Sequence, residues 1–196
     1  MTEGPCYEVL DIALRVANAI EANGGTYFVG GSLASSLQGE PRATNDIDFV
    51  IELPLGKIAA LGKSLGADFE VDLDMLRDAL LHARSANAFY LPTTTKIDFF
   101  GRGYDGFDAV EFERRQSIVV KASGERLLVK SPEDTVLRKL LWYHEGGCVS
   151  ERQWRDVVSV LRISGKRLDY GYLVNWANRL HVPDLLKGAR DESAEA

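Results

Sequence analysis

Tyr27-Phe28-Val29-Gly30-Gly31-Ser32, followed after one short helical segment by Asn45-Asp46-Ile47-Asp48-Phe49-Val50-Ile51, is the stretch on which the fold turns. An apolar run enters a Gly-Gly-Ser turn, and Leu33-Ala34-Ser35-Ser36-Leu37 then reads as the first turns of a helix. Backbone N–H groups at a helix start attract anions, and glycine lets a phosphate come close to the main chain. In the second part Asp46 and Asp48 alternate with Ile47, Phe49 and Ile51, the period of a strand with one apolar face and both carboxylates on the other. Residues two apart on such a face have Cα atoms about 6.5 to 7 Å apart, so their carboxylates can share cations.

Magnesium takes oxygen ligands and holds one or two protein carboxylates, keeping its other positions for water and phosphate. A nucleoside triphosphate is therefore the expected partner of a glycine turn facing paired aspartates. Thr95-Lys96-Ile97-Asp98-Phe99-Phe100 supplies a third acid on a strand, with Ile97 and Phe99 facing one way and Lys96 and Asp98 the other. Asp68-Phe69-Glu70-Val71-Asp72-Leu73-Asp74 also alternates acids, but no comparable glycine turn precedes it. It reads as a solvated strand edge running into a helix capped by Asp72 or Asp74.

Taken together, Val29-Gly30-Gly31-Ser32, Arg42-Ala43-Thr44-Asn45-Asp46-Ile47-Asp48 and Lys96-Ile97-Asp98 resemble the DNA polymerase beta-type nucleotidyltransferase superfamily. The Gly39-Glu40-Pro41-Arg42-Ala43-Thr44-Asn45-Asp46-Ile47-Asp48 run is most similar to its small bacterial branch, which includes the AbiEii-type toxin nucleotidyltransferases. The resemblance covers roughly residues 7 to 165. It implies two magnesium ions on Asp46 and Asp48, with Asp98 as a further ligand and candidate general base. It also implies β- and γ-phosphates on Gly30, Gly31 and Ser32, and a triphosphate contact at Lys139 in Pro132–Leu141. Arg42 either meets the substrate or braces its loop through an ion pair. The toxin branch carries a Lys-Asp-x-x-Asp stretch, whereas this chain has Arg152-Gln153-Trp154-Arg155-Asp156, keeping only the last acid.

The 196 residues suit one catalytic domain with a small helical addition. Two cysteines, Cys6 and Cys148, are too few for a disulfide framework or zinc cluster, so a reducing cytoplasm is the expected setting. The first residues show no basic and apolar leader, and no apolar run nears the roughly 20 residues of a membrane span, so no membrane partner is expected. Net charge is −6, with seven Lys/Arg against fourteen Asp/Glu in residues 1–100 and sixteen against fifteen in 101–196. The acidic half holds the metal-ligand candidates, and the more basic half includes Arg114, Arg115, Lys130, Arg138 and Arg155 as either a phosphate groove or a solvated surface. His82, His144 and His181 have no metal-ligand spacing, and no serine has a histidine and acid partner set.

The expected fold is α/β (α+β), a mixed, antiparallel-rich sheet flanked by helices. Residues 1–130 form the catalytic domain, 131–189 a helical C-terminal subdomain packed on it, and 190–196 a disordered tail. Helices are expected over 7–22, 32–38, 58–65, 75–83, 132–143, 150–163 and 170–180. Strands are expected over 26–30, 46–52, 87–91, 95–100, 117–121 and 126–129, while Phe107 to Phe112 is open between helix and irregular chain. The expected activity is magnesium-dependent transfer of a nucleoside monophosphate from an NTP to an acceptor hydroxyl. The acceptor is tRNA or a protein side chain for a toxin with an antitoxin partner, or a small hydroxylated drug for an antibiotic-modifying enzyme. A noncatalytic nucleotide- or partner-binding module is the reading from another class.

Overall fold

The computed structural model describes residues 5–195 of the chain. By contacts it divides into two compact units, residues up to Leu33 with Ala43–Lys130, and Ala34–Arg42 with residues from Ser131 onward. The short segment Ala34–Arg42 thus belongs with the helical unit, although in sequence it lies inside the expected catalytic domain.

The first unit begins with α1 (Pro5–Ala22), β1 (Thr26–Val29) and the start of α2 (Gly31–Gln38). It continues through β2 (Asp46–Glu52), α3 (Ile58–Leu65), β3 (Phe69–Val71), α4 (Leu73–His82), β4 (Ser85–Tyr90), β5 (Thr95–Gly101), α5 (Gly106–Glu113), β6 (Gln116–Val119) and β7 (Arg126–Val129). The strands form one seven-stranded sheet in the order β3-β4-β5-β2-β1-β7-β6. β2–β5 and β1–β7 pair in parallel, and the other neighbours are antiparallel. This is the mixed, antiparallel-rich sheet expected from the sequence.

Alternation decides which face is buried. Ile47, Phe49 and Ile51 of β2 and Ile97 and Phe99 of β5 are essentially inaccessible. Tyr27, Phe28 and Val29 of β1 are all buried. Tyr27 meets Phe49 edge-on with ring centroids 5.5 Å apart, and Phe49 lies 6.0 Å from Phe99. Each such ring pair adds roughly 0.5–1.5 kcal/mol beyond its area burial. Ile12, Val16 and Ile20 of α1 recur at helical spacing and are buried as well. Burial of the Tyr27 ring also pushes its phenol up to about 12.

The alternating acids before α4 follow their structural reading. Phe69–Val71 is the edge strand β3, and Asp72 caps α4 by accepting hydrogen bonds from the Asp74 and Met75 N–H groups at 2.9 and 3.0 Å. The Phe107 to Phe112 segment resolves as α5, whose Phe107, Glu111 and Phe112 are buried. Glu111 pairs with Lys130 at 3.0 Å, and both side chains are nearly inaccessible. Lys130 is therefore held inside the first unit and is not part of an exposed basic groove.

In the second unit α6 (Pro132–Glu145), α7 (Glu151–Ser164), α8 (Tyr170–Arg179) and α9 (Pro183–Glu195) follow in turn. Ser131, Ser150 and Asp169 cap the first three of these, each accepting from the backbone N–H three residues on. Val136, Leu137 and Leu140 of α6, Val157, Val160 and Leu161 of α7 and Leu173 of α8 make the buried core.

The expected disordered tail over 190–196 is corrected through Glu195, since α9 runs to that residue; residue 196 lies outside the described residues. Arg190–Glu195 is polar and carries no apolar period of its own. The helix is anchored one turn earlier by buried Leu186 and Ala189, and the Trp154 indole N–H donates to Glu192 at 2.7 Å. Among the described residues no helix is long and apolar enough to cross a membrane.

Candidate active site

Asp46 and Asp48 stand on the polar face of β2 because Ile47 and Phe49 are drawn into the core. β5 runs beside β2 in parallel, with Asp48 opposite Asp98 and Asp46 opposite Lys96. Neighbouring strands lie about 4.8 Å apart, so this register sets two carboxylates side by side and a lysine beside the third. Asp46 is exposed, Asp48 is half-buried, and the Asp98 side chain retains 13% of its exposure.

The glycine turn is fastened to the same place. The Gly30 N–H donates to the Asp48 carbonyl at 2.9 Å, and Gly31 opens α2 with φ +56°. A Cβ built on Gly31 would lie 1.7 Å from Asp48 Oδ2, whereas one on Gly30 would meet its nearest neighbour, the Phe28 ring, at 3.5 Å. Gly31 is thus required twice, by its left-handed backbone and by the carboxylate against its Cα. Ser32 follows as the second residue of α2. The partial positive charge of a helix start favours an anion such as the Asp48 carboxylate there.

Gly31→Ala is expected to lower stability by more than the roughly 1–2 kcal/mol of a left-handed alanine, because Asp48 must also move. Gly30→Ala should cost well under that. Denaturant melts of the two variants check the difference.

Lys96 is the residue whose role the motifs did not announce. Its Nζ donates to Asp98 Oδ2 at 2.8 Å. That hydrogen bond, with attraction from Asp98, Asp46 and Asp48, holds the ammonium above the ordinary lysine range despite partial desolvation. The sequence signal was its alternation with Asp98, which puts both on one face.

The donor set suits a hard dication, since the face offers carboxylate oxygens without histidine or cysteine. Asp48 and Asp98, in register on adjacent strands, match in number the one or two protein carboxylates that magnesium commonly takes. A closed three-carboxylate cage is a different arrangement. Among the described residues no three His, Cys, Asp or Glu side chains gather as a metal site, and Asp98 turns one oxygen to Lys96.

Arg42 and Lys139, both in the second unit, meet at Asp156. Arg42 donates through Nε to Asp156 Oδ1 and through Nη2 to Oδ2, each at 2.9 Å, and Lys139 Nζ donates to Oδ2 at 2.8 Å. Ser35 Oγ adds a bond at 3.1 Å, and Lys139 also donates to Gln153 Oε1 at 3.1 Å. Burial opposes ionisation of Asp156, but the Arg42 and Lys139 hydrogen bonds outweigh it and hold the carboxyl below the usual range. The hydrogen bonds to Asp156 likewise raise Arg42, against the effect of its own burial. The two residues expected at phosphates therefore have a shared carboxylate partner. Gln153, where the toxin stretch has aspartate, serves as an acceptor for Lys139.

No protein-family model matches the chain, and no curated protein matches it in sequence. Among solved structures it is similar to an antigenic nucleotidyltransferase-like protein from Paracoccidioides brasiliensis, at 18% identity over 90% of this chain and 91% of that one, with a TM-score of 0.54. The antibiotic-resistance factor ANT(2'')-Ia, in a solution structure, aligns at 14% identity over 95% of each chain with a TM-score of 0.48. At 18% identity the likeness to the Paracoccidioides brasiliensis protein concerns architecture alone, and by it the chain has a nucleotidyltransferase-like fold.

Proposed function

We propose that the chain is a magnesium-dependent nucleotidyltransferase that moves a nucleoside monophosphate from an NTP to an acceptor hydroxyl and releases pyrophosphate. The observation that carries this reading is the register of Asp48 against Asp98 beside Gly31, which joins an anion-binding helix start to a carboxylate pair. In the reaction a bond forms between the acceptor oxygen and the α-phosphorus as the bond from that phosphorus to the β-bridging oxygen breaks. The electron pair leaves with pyrophosphate.

Each residue has a role that its position supports. Gly30, Gly31 and the Ser32 hydroxyl hold the β- and γ-phosphates at the start of α2, where N–H groups and the helix dipole favour negative charge. Asp48 and Asp98 are the proposed magnesium ligands, with Asp46 turning in to join them when ions bind and two ions as the proposed complement. Bound there, magnesium supplies Lewis-acid charge to the α-phosphate and the departing oxygen. Asp98, whose side chain retains 13% of its exposure, accepts the acceptor's hydroxyl proton while β5 keeps it aligned with Asp48. The family resemblance is the support for Arg42 and Lys139 as further triphosphate contacts.

The finer reading is a toxin of a toxin–antitoxin pair acting on tRNA or a protein side chain. It rests on the Arg42–Asp48 wording, and an antitoxin would be its partner. Incubation of the protein with magnesium, each α-labelled NTP and pools of tRNA, protein and aminoglycoside acceptors tests both levels. Label transferred to one class supports the reading and names the acceptor. No NTP binding at millimolar magnesium, with no transfer to any class, overturns it.

A further inference from the structure

The carboxylate face contains its own cation. Lys96 sits two residues before Asp98 on one face of β5 and directly across from Asp46, and its ammonium is 2.8 Å from Asp98 Oδ2. The Lys96 side chain is 38% exposed, so water reaches its far side and the group can turn outward. A dication approaching Asp98 and the ammonium already beside it are like charges contending for one oxygen. At about 4 Å such repulsion is substantial even when screened by nearby water.

We propose that Lys96 is an exchangeable counter-ion: it competes with the dication for Asp98 and, when displaced, pairs with the triphosphate, so that metal and nucleotide bind cooperatively. This rests on the metal-dependent reading above and adds a role for a residue outside the carboxylate and glycine sets. A dication alone must evict the ammonium from Asp98 into water. A dication arriving with a nucleotide gives that ammonium a new anionic partner on the same face. Lys96 is then a positioning residue whose effect lies in the order and coupling of binding, because it takes no proton and forms no bond in the transfer.

The test is titration of Mn2+ followed by electron paramagnetic resonance on wild type, Lys96→Met, Lys96→Arg and Asp48→Asn. It is run with and without a saturating α,β-methylene NTP analogue and corrected against protein-free controls. Without nucleotide, Lys96→Met is expected to bind Mn2+ roughly tenfold more tightly than wild type, since one like charge has been removed. With the analogue present that gain should vanish or reverse. Lys96→Arg should stay near wild type, because its guanidinium keeps the charge.

Equal or weaker Mn2+ binding by Lys96→Met without nucleotide overturns the competition. A gain that persists unchanged with nucleotide overturns the exchange onto the triphosphate. If wild type binds no Mn2+, or Asp48→Asn binds it as well as wild type, the metal-dependent function itself fails and the Lys96 proposal falls with it. If wild type binds through Asp48 and Lys96→Met shows no gain, only the Lys96 proposal fails.

Discussion

Asp48→Asn is expected to reduce nucleotidyl transfer by at least about 10²-fold, the scale seen when one preorganised electrostatic group is removed from a reacting centre. Three features of the site concentrate the effect at this position. Asp48 is the register partner of Asp98, its carbonyl accepts from Gly30, and its carboxylate lies against the Gly31 Cα. An amide of equal size keeps the packing but removes the charge and half the acceptor capacity. Asp98→Asn should fall in the same range. Asp46→Asn should be milder, because Asp46 is exposed at the start of β2 and opposite Lys96. Glu70→Gln removes an exposed carboxylate on the edge strand β3 and should leave transfer unchanged. Single-turnover transfer of label, with circular dichroism to confirm folding, checks the series. Wild-type rates in Asp48→Asn would remove the carboxylate face from the reaction.

The sheet could be read from the chain because its strands announce themselves by alternation. Asp46–Glu52 and Thr95–Gly101 each have one apolar face, and a slip of one residue would put Ile47 or Ile97 into water. The glycine turn and paired aspartates could be read for the same reason: strand geometry fixes where alternate side chains point. What could not be read is what depends on partners distant in sequence. The parallel register that sets Asp48 beside Asp98 joins strands separated by α3, β3, α4 and β4. The Lys96 contact follows from that face being crowded with carboxylates. Gly31 is expected to admit a phosphate, and the structure adds the Asp48 carboxylate as its closest neighbour, a contact no motif announces.

α5 and the end of α9 escaped reading for a related reason. Phe107 and Phe112 are five apart, too sparse a period to separate a short helix from irregular chain, and tertiary burial decides. Arg190–Glu195 has no apolar residue beyond Ala194, and its helix is inherited from the anchored turn before it. Arg42, Lys139 and Asp156 lie far apart in sequence and belong to separate motifs. Their convergence needed the second unit to include Ala34–Arg42, a grouping that sequence order conceals.

That convergence carries the largest expected loss of stability. Asp156→Ala takes from the Lys139 ammonium, whose side chain is 5% exposed, its carboxylate partner at 2.8 Å, and takes both carboxylate oxygens from Arg42. Removing one partner of a buried pair costs about 3–5 kcal/mol, because the surviving charge is uncompensated. The Arg42 side chain is 27% exposed and can regain water, so the lower end, about 3 kcal/mol, is expected in denaturant unfolding. Lys139→Met added to Asp156→Ala should recover part of this loss, since a buried ammonium that has lost its carboxylate goes with it. A double variant as unstable as Asp156→Ala would show that Lys139 was not the stranded charge.

The pH dependence has a definite sign. The folded Asp156 carboxyl is held below its unfolded value of about 3.9, so its contribution is fully present above that value and is lost as pH falls through the folded one. The stability gap between wild type and Asp156→Ala should therefore be flat from about pH 5 to 8 and close below about pH 3.9. A gap that closed near neutral pH would place the coupling on some other group. If Asp156→Ala lost stability while Arg42→Ala and Lys139→Met kept NTP affinity, the cluster would be a brace for its unit and the triphosphate would be held by the glycine turn alone.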